Sequence, residues 1–368
     1  MAVIHHVNPA ETFCVIGAGI VGQLTALALL DRGWRRGILV ENAMPPASLA
    51  GGGILSPMFP WRYTAELNRL AEPGCHAYAR LSERLAAAGC IGNDEFFRSG
   101  IWMELLPNEA EALADWREYT LQHYRLEPRF LNEENREGVY FPDLGSIRST
   151  GIMRGLRQYL ISRGVRFCRG DAVGWQTGLH GLEVRLQHGS AIHCEVLVVA
   201  AGAGAKALLP TGTEQFPAKG EMLMYRLGAD APKELILARE GYAIPRSNGD
   251  TVVGSTLRIG DDTHYPTVTG RYHLQRLAET LLSQCRGRKP DAHWAGVRPG
   301  LGRDYPYIGR VPGEKNVYAA IGHYRNGLVC APASATLLAQ IICGDVCDLN
   351  SDDYSLPSSR SNSSFLSR

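Results

Sequence analysis

Three separate segments of the chain share one pattern, in which a short apolar run enters a glycine-rich turn and apolar residues then follow at helical spacing. They are FCVIGAGIVGQLTALALLDRG (13–33), VLVVAAGAGAKAL (196–208) and VYAAIGHYRNGLVCAPASATLL (317–338). A buried parallel strand followed by a helix produces this pattern. We therefore predict an α/β fold with a Rossmann-like nucleotide-binding domain assembled from discontinuous segments.

In the segments between these three, apolar residues recur with other spacings. EMLMYRL, ELILARE, YAIPRS and TVVGSTL, all within 216–290, alternate as antiparallel strands do, and helical spacing occurs over 64–90, 108–124 and 271–285. We assign 10–90, 145–215 and 298–350 to the nucleotide-binding domain and 91–144 and 216–297 to an antiparallel-sheet substrate domain. The first 12 residues read as a loose leader, and the Ser-rich segment 351–368 as a disordered tail.

Composition narrows the class of protein. A net charge of +1 argues against a nucleic-acid or membrane-surface partner, and no apolar run reaches the length of a membrane span. The nine cysteines are scattered without a CxxC pair, and the N-terminus lacks the pattern of a signal peptide. We predict a soluble cytoplasmic protein with no metal site. The 41 glycines favour a backbone that closely approaches a ligand.

The first glycine turn has the dinucleotide-binding spacing GxGxxG, formed by Gly17, Gly19 and Gly22. The first glycine permits the tight turn, the second lets the backbone approach a pyrophosphate, and the third lets the helix pack closely on the sheet. Glu41 ends the next strand, where a carboxylate can accept hydrogen bonds from ribose hydroxyls. The pattern predicts a dinucleotide site, although a close-packed strand–helix turn gives the same glycines.

The other two glycine turns favour FAD over NAD. One contains Gly202, and the other contains Arg325, Asn326 and Gly327 directly before a long helix. An NAD domain needs neither, whereas a flavin ring benefits from a helix N-terminus near the edge that becomes negative on reduction. The Gly- and Pro-rich segment MPPASLAGGGILSPMFPW (44–61) is predicted to be a loop that serves the same site.

Four further motifs give the chain a resemblance to the D-amino-acid oxidase superfamily, most closely to its thiamine-pathway glycine oxidase branch. They are FPAKGEML (216–223), GYAIPRSNGDTVVGSTL (241–257), WAGVRPGLGRDYPYIGRVP (294–312) and AAIGHYRNGLVCAPA (319–333). The resemblance extends over about residues 13–345. It implies FAD as cofactor, a small amino or imino acid as substrate and molecular oxygen as acceptor, and family precedent suggests a homotetramer.

By this resemblance, three residues form the catalytic group. Arg298 pairs with the substrate carboxylate, Tyr242 donates its hydroxyl to the same carboxylate, and Arg325 lies by substrate and flavin. The FAD contacts implied by the family fall on Ile20, Val21, Glu41, Asn42, Ala47, Ser48, Gly52, Gly53, Ile54, Val173, His323, Tyr324, Arg325, Asn326, Gly327, Leu328 and Val329.

Two positions depart from the glycine oxidase pattern. Leu257 stands where a methionine is expected, and Glu240 stands where a histidine is expected, two residues before Tyr242. An acidic group near the pocket mouth either selects against acidic substrates or attracts a substrate amine. These departures concern the choice of substrate and leave the reaction class unchanged.

Residue chemistry offers alternatives for three side chains. Arg298 presents a planar fork that matches a carboxylate, but a structural pair with Asp304 or Asp291 would explain it as well. His323 is read as a turn residue touching flavin rather than as a general base. Cys330 is read as a packing residue rather than as a covalent flavin attachment.

The expected activity is oxidative deamination of glycine, sarcosine, D-proline or D-alanine by hydride transfer to flavin, with hydrogen peroxide as the second product. The alternatives are a flavin dehydrogenase of a 2-hydroxy acid or an amino acid that uses a quinone-type acceptor, and a flavoprotein that binds without catalysis. An NAD dehydrogenase is disfavoured by the three glycine turns.

Overall fold

A computed structural model describes residues 12–109, 111–112, 114–115, 129–133, 136–178, 181–209 and 212–357. Residues 1–11 of the predicted leader and most of the helix predicted over 108–124 lie outside the described residues, whereas Thr12, the last residue of that leader, begins the first strand. The helices are α1 (Ile20–Asp31), α2 (Ala47–Ala50), α3 (Ala65–Ala71), α4 (Gly74–Ala87), α5 (Ser149–Ser162), α6 (Val268–Leu281) and α7 (Gly327–Cys343). The strands are β1 (Thr12–Ile16), β2 (Arg36–Glu41), β3 (Phe96–Phe97), β4 (Ile101–Glu104), β5 (Arg129–Glu133), β6 (Arg136–Phe141), β7 (Ser146–Ile147), β8 (Arg166–Arg169), β9 (Ala172–Gly178), β10 (Gly181–Leu186), β11 (Ala191–Cys194), β12 (Val196–Val199), β13 (Phe216–Arg226), β14 (Leu235–Leu237), β15 (Tyr242–Pro245), β16 (Asp250–Gly254), β17 (Arg258–Ile259), β18 (Ala292–Gly300), β19 (Tyr307–Arg310) and β20 (Val317–Ile321).

A six-stranded sheet brings the three glycine turns together. Its order is β19-β20-β12-β1-β2-β8, and all neighbours are parallel except β19 and β20. Because β1, β12 and β20 lie side by side, the turns that follow them meet at one edge of the sheet, where the strands of an open α/β sheet present ligand sites. The predicted fold class is confirmed by this arrangement.

Both faces of the parallel sheet are covered, which explains its continuous apolar strands. Phe13 and Val15 pack in one core cluster with α1 and α7, while Cys14 and Ile16 pack in a second cluster with β10 and β11. Successive side chains of a strand point to opposite faces, so a strand covered twice must be apolar at every position.

The second large sheet is almost wholly antiparallel and has nine strands. Its path runs β17-β13-β16-β15-β14-β4-β6-β5, with β18 paired to β13 along its full length. One face packs on α6 through Leu223, Val253, Leu274 and Leu277. The boundary placed at 297/298 falls inside β18, so Arg298 is carried by this sheet rather than by the nucleotide-binding sheet.

Residues 351–357 of the predicted disordered tail are ordered and packed. Ser351–Tyr354 form a 3-10 turn, Tyr354 is fully buried against Tyr305, and its hydroxyl donates to the Glu66 carbonyl at 2.9 Å. Composition misled here because one anchored aromatic is enough to order a short polar segment. Residues 358–368 lie outside the described part of the chain.

Of the described helices, one stretch is long and apolar enough to cross a membrane, Tyr324–Cys343. In this structure 56% of its apolar window is buried, and it packs against α1, α3 and α4. Its position in the core accounts for its apolar composition.

Candidate active site

A cavity of about 620 Å³ lies between the two large sheets. This volume is in the range of cofactor and substrate sites, about 300–1,000 Å³. The structure brings together nearly all residues predicted for the site. Those that line the cavity are Gly17, Gly19, Ile20, Val21, Glu41, Asn42, Ala47, Ser48, Gly52, Gly53, Ile54, Gly202, Tyr242, Arg298, His323, Tyr324, Arg325, Asn326, Gly327, Leu328 and Val329.

Two predicted cofactor residues do not line the cavity. Gly22 lies inside α1, where an added Cβ would collide with the Gly17 carbonyl, so it serves helix packing. The Val173 side chain on β9 is exposed. The cavity wall before it is formed by Gly170, Asp171 and Ala172. Val173 follows this wall directly in the chain, and its predicted contact with the cofactor stays a prediction.

The first glycine turn opens α1 toward the cavity. Gly19 is the N-cap of the helix, and the Ile20 amide donates to Ser48 Oγ at 3.0 Å. Gly17 has φ +113°, and an added Cβ would collide with the Ala200 carbonyl. The turn therefore requires glycine for its own conformation and for close approach to the next strand.

Glu41 is held by a partner that the sequence did not indicate. Arg157 on α5 donates to both carboxylate oxygens at 2.7 Å, and its guanidinium stacks over Phe167 at 4.0 Å from the ring centroid. A carboxylate has about four acceptor positions, so this pairing leaves room for ribose hydroxyls. Arg157 thus fixes the orientation of Glu41 at the end of β2.

The glycine-rich loop that follows α2 is clamped at four successive carbonyls, residues 50–53. Each accepts a hydrogen bond from a different residue, and these donors come from three separate segments of the chain. The donors are Trp294 Nε1 to Ala50 (3.1 Å), Ser149 Oγ to Gly51 (2.9 Å), Arg246 Nη2 to Gly52 (2.6 Å) and the Ile147 amide to Gly53 (2.9 Å). This loop is consequently rigid before any ligand arrives.

Arg246 is the buried member of that clamp. Its Nη1 also donates to the Ile147 carbonyl at 2.8 Å and to Ser146 Oγ at 3.2 Å. Burial lowers the pKa of Arg246 to about 10, which still leaves the guanidinium charged at neutral pH. The residue belongs to the YAIPRS motif, so its position was visible in the sequence although its function was not.

The third glycine turn leads into α7. The helix begins at Gly327, and neither a side-chain cap nor an acidic residue occupies its first turn. The positive end of the helix dipole therefore faces the cavity through Leu328 and Val329. His323 is buried, and its Nε2 pairs with Ser334 Oγ at 3.0 Å. Burial lowers the pKa of His323 to about 4, so the ring is neutral at pH 7.

Arg298 extends from β18 into the cavity. Its Nη2 donates to Ser255 Oγ at 2.9 Å and its Nη1 to the Thr256 carbonyl at 3.4 Å. Burial lowers the pKa of this guanidinium, the Tyr242 hydroxyl beside it opposes that shift, and the positive charge of Arg325 adds to it. On the paired strand β13, a Cβ at Gly220 would collide with the guanidinium, so the glycine provides its space.

Within the described part of the chain, Arg298 forms no salt bridge. The structural pairing with Asp304 or Asp291 is absent, because Asp304 accepts from the Thr64 amide and hydroxyl and Asp291 accepts from the Arg226 amide. Tyr242 is buried, and its hydroxyl reaches Met222 Sδ at 4.0 Å. A half-buried guanidinium beside a neutral hydroxyl donor offers the hydrogen bonds and the charge that bind one carboxylate.

His264 lines the cavity and was missed by the sequence reading. Its Nδ1 is buried and has no hydrogen-bond partner among the described residues. The loop that carries it is anchored by buried groups of β13: Lys219 Nζ donates to Thr263 Oγ1 at 2.9 Å, and Glu221 accepts from the Thr267 amide at 2.8 Å. No spacing signal marked this histidine, because the anchors lie about 45 residues away in sequence.

The cysteines have no visible function in the site. All nine are free thiols, and burial raises the pKa of the Cys330 thiol far above its usual range. Cys330 does not line the cavity. Among the described residues, no cluster of three or more His, Cys, Asp or Glu side chains is arranged to hold a metal ion.

The residues present fit FAD. The glycine turn and the N-terminus of α1 suit a pyrophosphate, Glu41 suits a ribose diol, and the start of α7 suits the electron-rich edge of a flavin. The unpartnered Nδ1 of His264 is a further polar atom that a bound group can satisfy.

Comparison with known proteins agrees with this geometry. Residues 12–341 match the family described as FAD dependent oxidoreductase. The glycine oxidase of Pseudomonas aeruginosa is 35% identical over 349 residues, covering 91% of this chain and 95% of its own. In fold, the chain is similar to the glycine oxidase of Geobacillus kaustophilus (TM-score 0.83, 22% identity, 94% and 98% of the two chains) and to iminodiacetate oxidase from Chelativorans sp. BNC1 (TM-score 0.82, 21% identity, 93% and 98%).

Proposed function

Because the chain belongs to the family of FAD dependent oxidoreductases, we propose that it is an FAD-dependent oxidase of glycine or another small amino or imino acid, with O2 as the acceptor. The observation that carries the proposal is Arg298, a half-buried cation that forms no salt bridge among the described residues and lies beside Tyr242 in the same cavity as the FAD-type glycine turns. The resemblance to the P. aeruginosa glycine oxidase supports the amine as the oxidised group.

In this proposal the chain's own residues bind and orient the substrate. Arg298 takes the carboxylate in a bidentate pair, and Tyr242 donates to the same group, which fixes the Cα relative to the cofactor. The protein shields the reacting carbon from water, and the amine binds after losing its ammonium proton. FAD supplies the two-electron acceptor for the Cα hydride. Water hydrolyses the imine product to a 2-oxo acid and releases ammonia from a primary amine, or leaves the corresponding amine when the substrate nitrogen carries a substituent, and O2 is reduced to H2O2.

No side-chain base is needed at the Cα in this scheme. His323 is neutral, bonded to Ser334 and located in the turn before α7, which supports a structural or cofactor-facing role. Arg325 lies at the open side of the cavity, where it contributes positive charge near the substrate.

The test is anaerobic reduction of the purified flavoprotein. Its visible spectrum is recorded while glycine, sarcosine, D-proline, D-alanine and, separately, glycolate are added. Bleaching by an amino or imino acid, and recovery with stoichiometric H2O2 when air is admitted, supports the proposal. Bleaching by glycolate alone would replace it with a 2-hydroxy acid dehydrogenase. Bleaching by amines with recovery only on adding a quinone would replace the acceptor.

A further inference from the structure

A proline inside α7 leaves one carbonyl of that helix without its usual donor. In an α-helix the amide of each residue donates to the carbonyl four residues earlier, and proline has no amide proton. The helix continues through Pro332, so the carbonyl that lacks this donor is that of Leu328, in the first turn. Leu328 also lines the cavity. The irregularity therefore lies where α7 meets the cofactor site.

Tyr78 on α4 supplies a donor to this carbonyl. Its side chain is fully buried, and its hydroxyl donates to the Leu328 carbonyl at 2.9 Å. Burial raises the pKa of Tyr78 far above its usual range, so the hydroxyl keeps its proton and remains a donor. The Tyr78 hydroxyl thus takes the place of the amide that any residue other than proline would have at position 332.

Gly74 lets α4 come close enough for this contact. A Cβ at Gly74 would lie 2.5 Å from the Val329 carbonyl oxygen, so the two helices touch through their backbones at this point. Gly74 and Tyr78 are four residues apart and therefore share one face of α4. Neither is among the described residues that line the cavity. Any influence of Tyr78 on the cofactor must consequently pass through the first turn of α7.

The Leu328 carbonyl and the Val329 amide belong to the same peptide group. In a helix the carbonyl points toward the C-terminus and the amide toward the N-terminus, which for α7 is the end at the cavity. A hydrogen bond to the carbonyl fixes the direction of this amide and polarises it as a donor. The amides of the first turn carry the positive end of the helix dipole, and no acidic side chain in that turn compensates it.

We propose that Tyr78 is a positioning residue for the cofactor, which holds the Leu328–Val329 peptide so that the start of α7 stabilises the negative charge that FAD gains on reduction. The inference rests on FAD as the cofactor and goes beyond the proposed oxidase function, because it holds for any substrate. The positive end of a helix stabilises the reduced, electron-rich flavin more than the oxidised one. Loss of the Tyr78 hydroxyl should therefore make the bound FAD harder to reduce.

The experiment measures the midpoint potential of FAD bound to the full-length protein, by equilibration with a reference dye and without substrate. In Tyr78→Phe we expect the equilibrium constant for two-electron reduction to fall about tenfold, which corresponds to a potential about 30 mV lower. Tyr354→Phe is the matched control, because Tyr354 is also fully buried and its hydroxyl donates to a backbone carbonyl, that of Glu66, at 2.9 Å. It lies outside the described cavity lining, so the control should lose stability and keep the wild-type potential.

A second substitution tests the link between Tyr78 and Pro332. Pro332→Ala restores an amide that can donate to the Leu328 carbonyl, so Tyr78→Phe combined with Pro332→Ala should recover the wild-type potential. If Tyr78→Phe retains no FAD, recovery of FAD binding in the double variant is the corresponding result.

Three results would overturn the inference: an unchanged potential in Tyr78→Phe, an equal shift in Tyr354→Phe, or no recovery in the double variant. Each would leave the proposed oxidase function intact. Because the potential is measured without substrate, failure of every amine to bleach the flavin would overturn the proposed function alone.

Discussion

The two sides of the cavity differ in whether their charged side chains are paired: those on the cofactor side have partners, and Arg298 on the substrate side has no acidic partner among the described residues. On the cofactor side, Glu41 is paired with Arg157, and Arg246 donates to three acceptors. On the substrate side, half-buried Arg298 forms no salt bridge in the described part of the chain and donates only to Ser255 Oγ and the Thr256 carbonyl. A charged side chain that is already paired makes the structure around it rigid. A partly desolvated charge without a counterion attracts a ligand of opposite charge. The contrast supports the proposal that a carboxylate binds at Arg298.

Replacing Arg298 should have the largest effect on substrate turnover of the variants considered. Arg298→Met removes the carboxylate grip, and we expect kcat/KM for the best substrate to fall about 10³–10⁴-fold, roughly 4–5 kcal/mol. FAD affinity should stay within about twofold. Steady-state kinetics and FAD titration of the same preparation check both halves; a variant that loses FAD and activity together would show that the two sides are not separable.

Replacing Arg246 tests the cofactor side. Arg246→Met leaves the carbonyls of Gly52 and Ile147 without their donor, and we expect the free energy of unfolding to fall by about 3–4 kcal/mol with weaker FAD binding. Urea denaturation of the apoprotein measures the loss. Arg226→Met, at an exposed arginine, is the control and should change stability by less than about 0.5 kcal/mol. Equal effects of the two substitutions would contradict the clamp.

The third prediction concerns the pH dependence of the free energy of unfolding, to which buried His323 contributes. Its pKa is lowered to about 4 by burial, below the ordinary value of about 6.5. Between these values the unfolded chain binds a proton that the folded chain does not, so stability falls as pH falls from about 6.5 to 4, by up to about 3 kcal/mol. His323→Asn should remove that part of the pH dependence, measured as unfolding free energy from pH 7 to 4. The surface variant His188→Asn should keep the full slope.

The smallest expected effect is at the ribose end. Arg157→Gln frees Glu41, but both side chains are about one-third exposed, so solvent screens the pair. We expect FAD affinity to fall no more than about tenfold, with kcat unchanged at saturating FAD. Flavin fluorescence titration gives the affinity. A change in substrate KM would show that the two sides of the cavity are coupled.

Sequence reasoning reached the fold class and the family, and nearly all of the residues that it predicted for the site line the cavity, because these features depend on local chemistry. The GxGxxG turn, the apolar strands and the motifs around Tyr242, Arg298 and Arg325 each carry their signal within a short segment. It failed for the start of the tail, where the Tyr354 side chain is buried. Predicted functions of individual site residues remain predictions until the variants are measured.

The sequence alone determined which residue types are available and where the backbone must turn, because conformation at a glycine and periodicity along a strand are properties of neighbouring residues. Only the tertiary structure decided which charges are compensated. Arg157 lies 116 residues from Glu41 and Arg246 lies 194 residues from Gly52, so no local pattern links them. The same folding gave Arg298 only neutral partners among the described residues, Ser255 Oγ and the Thr256 carbonyl. Charge compensation depends on distance in space, and that distance exists only once the two sheets have packed together.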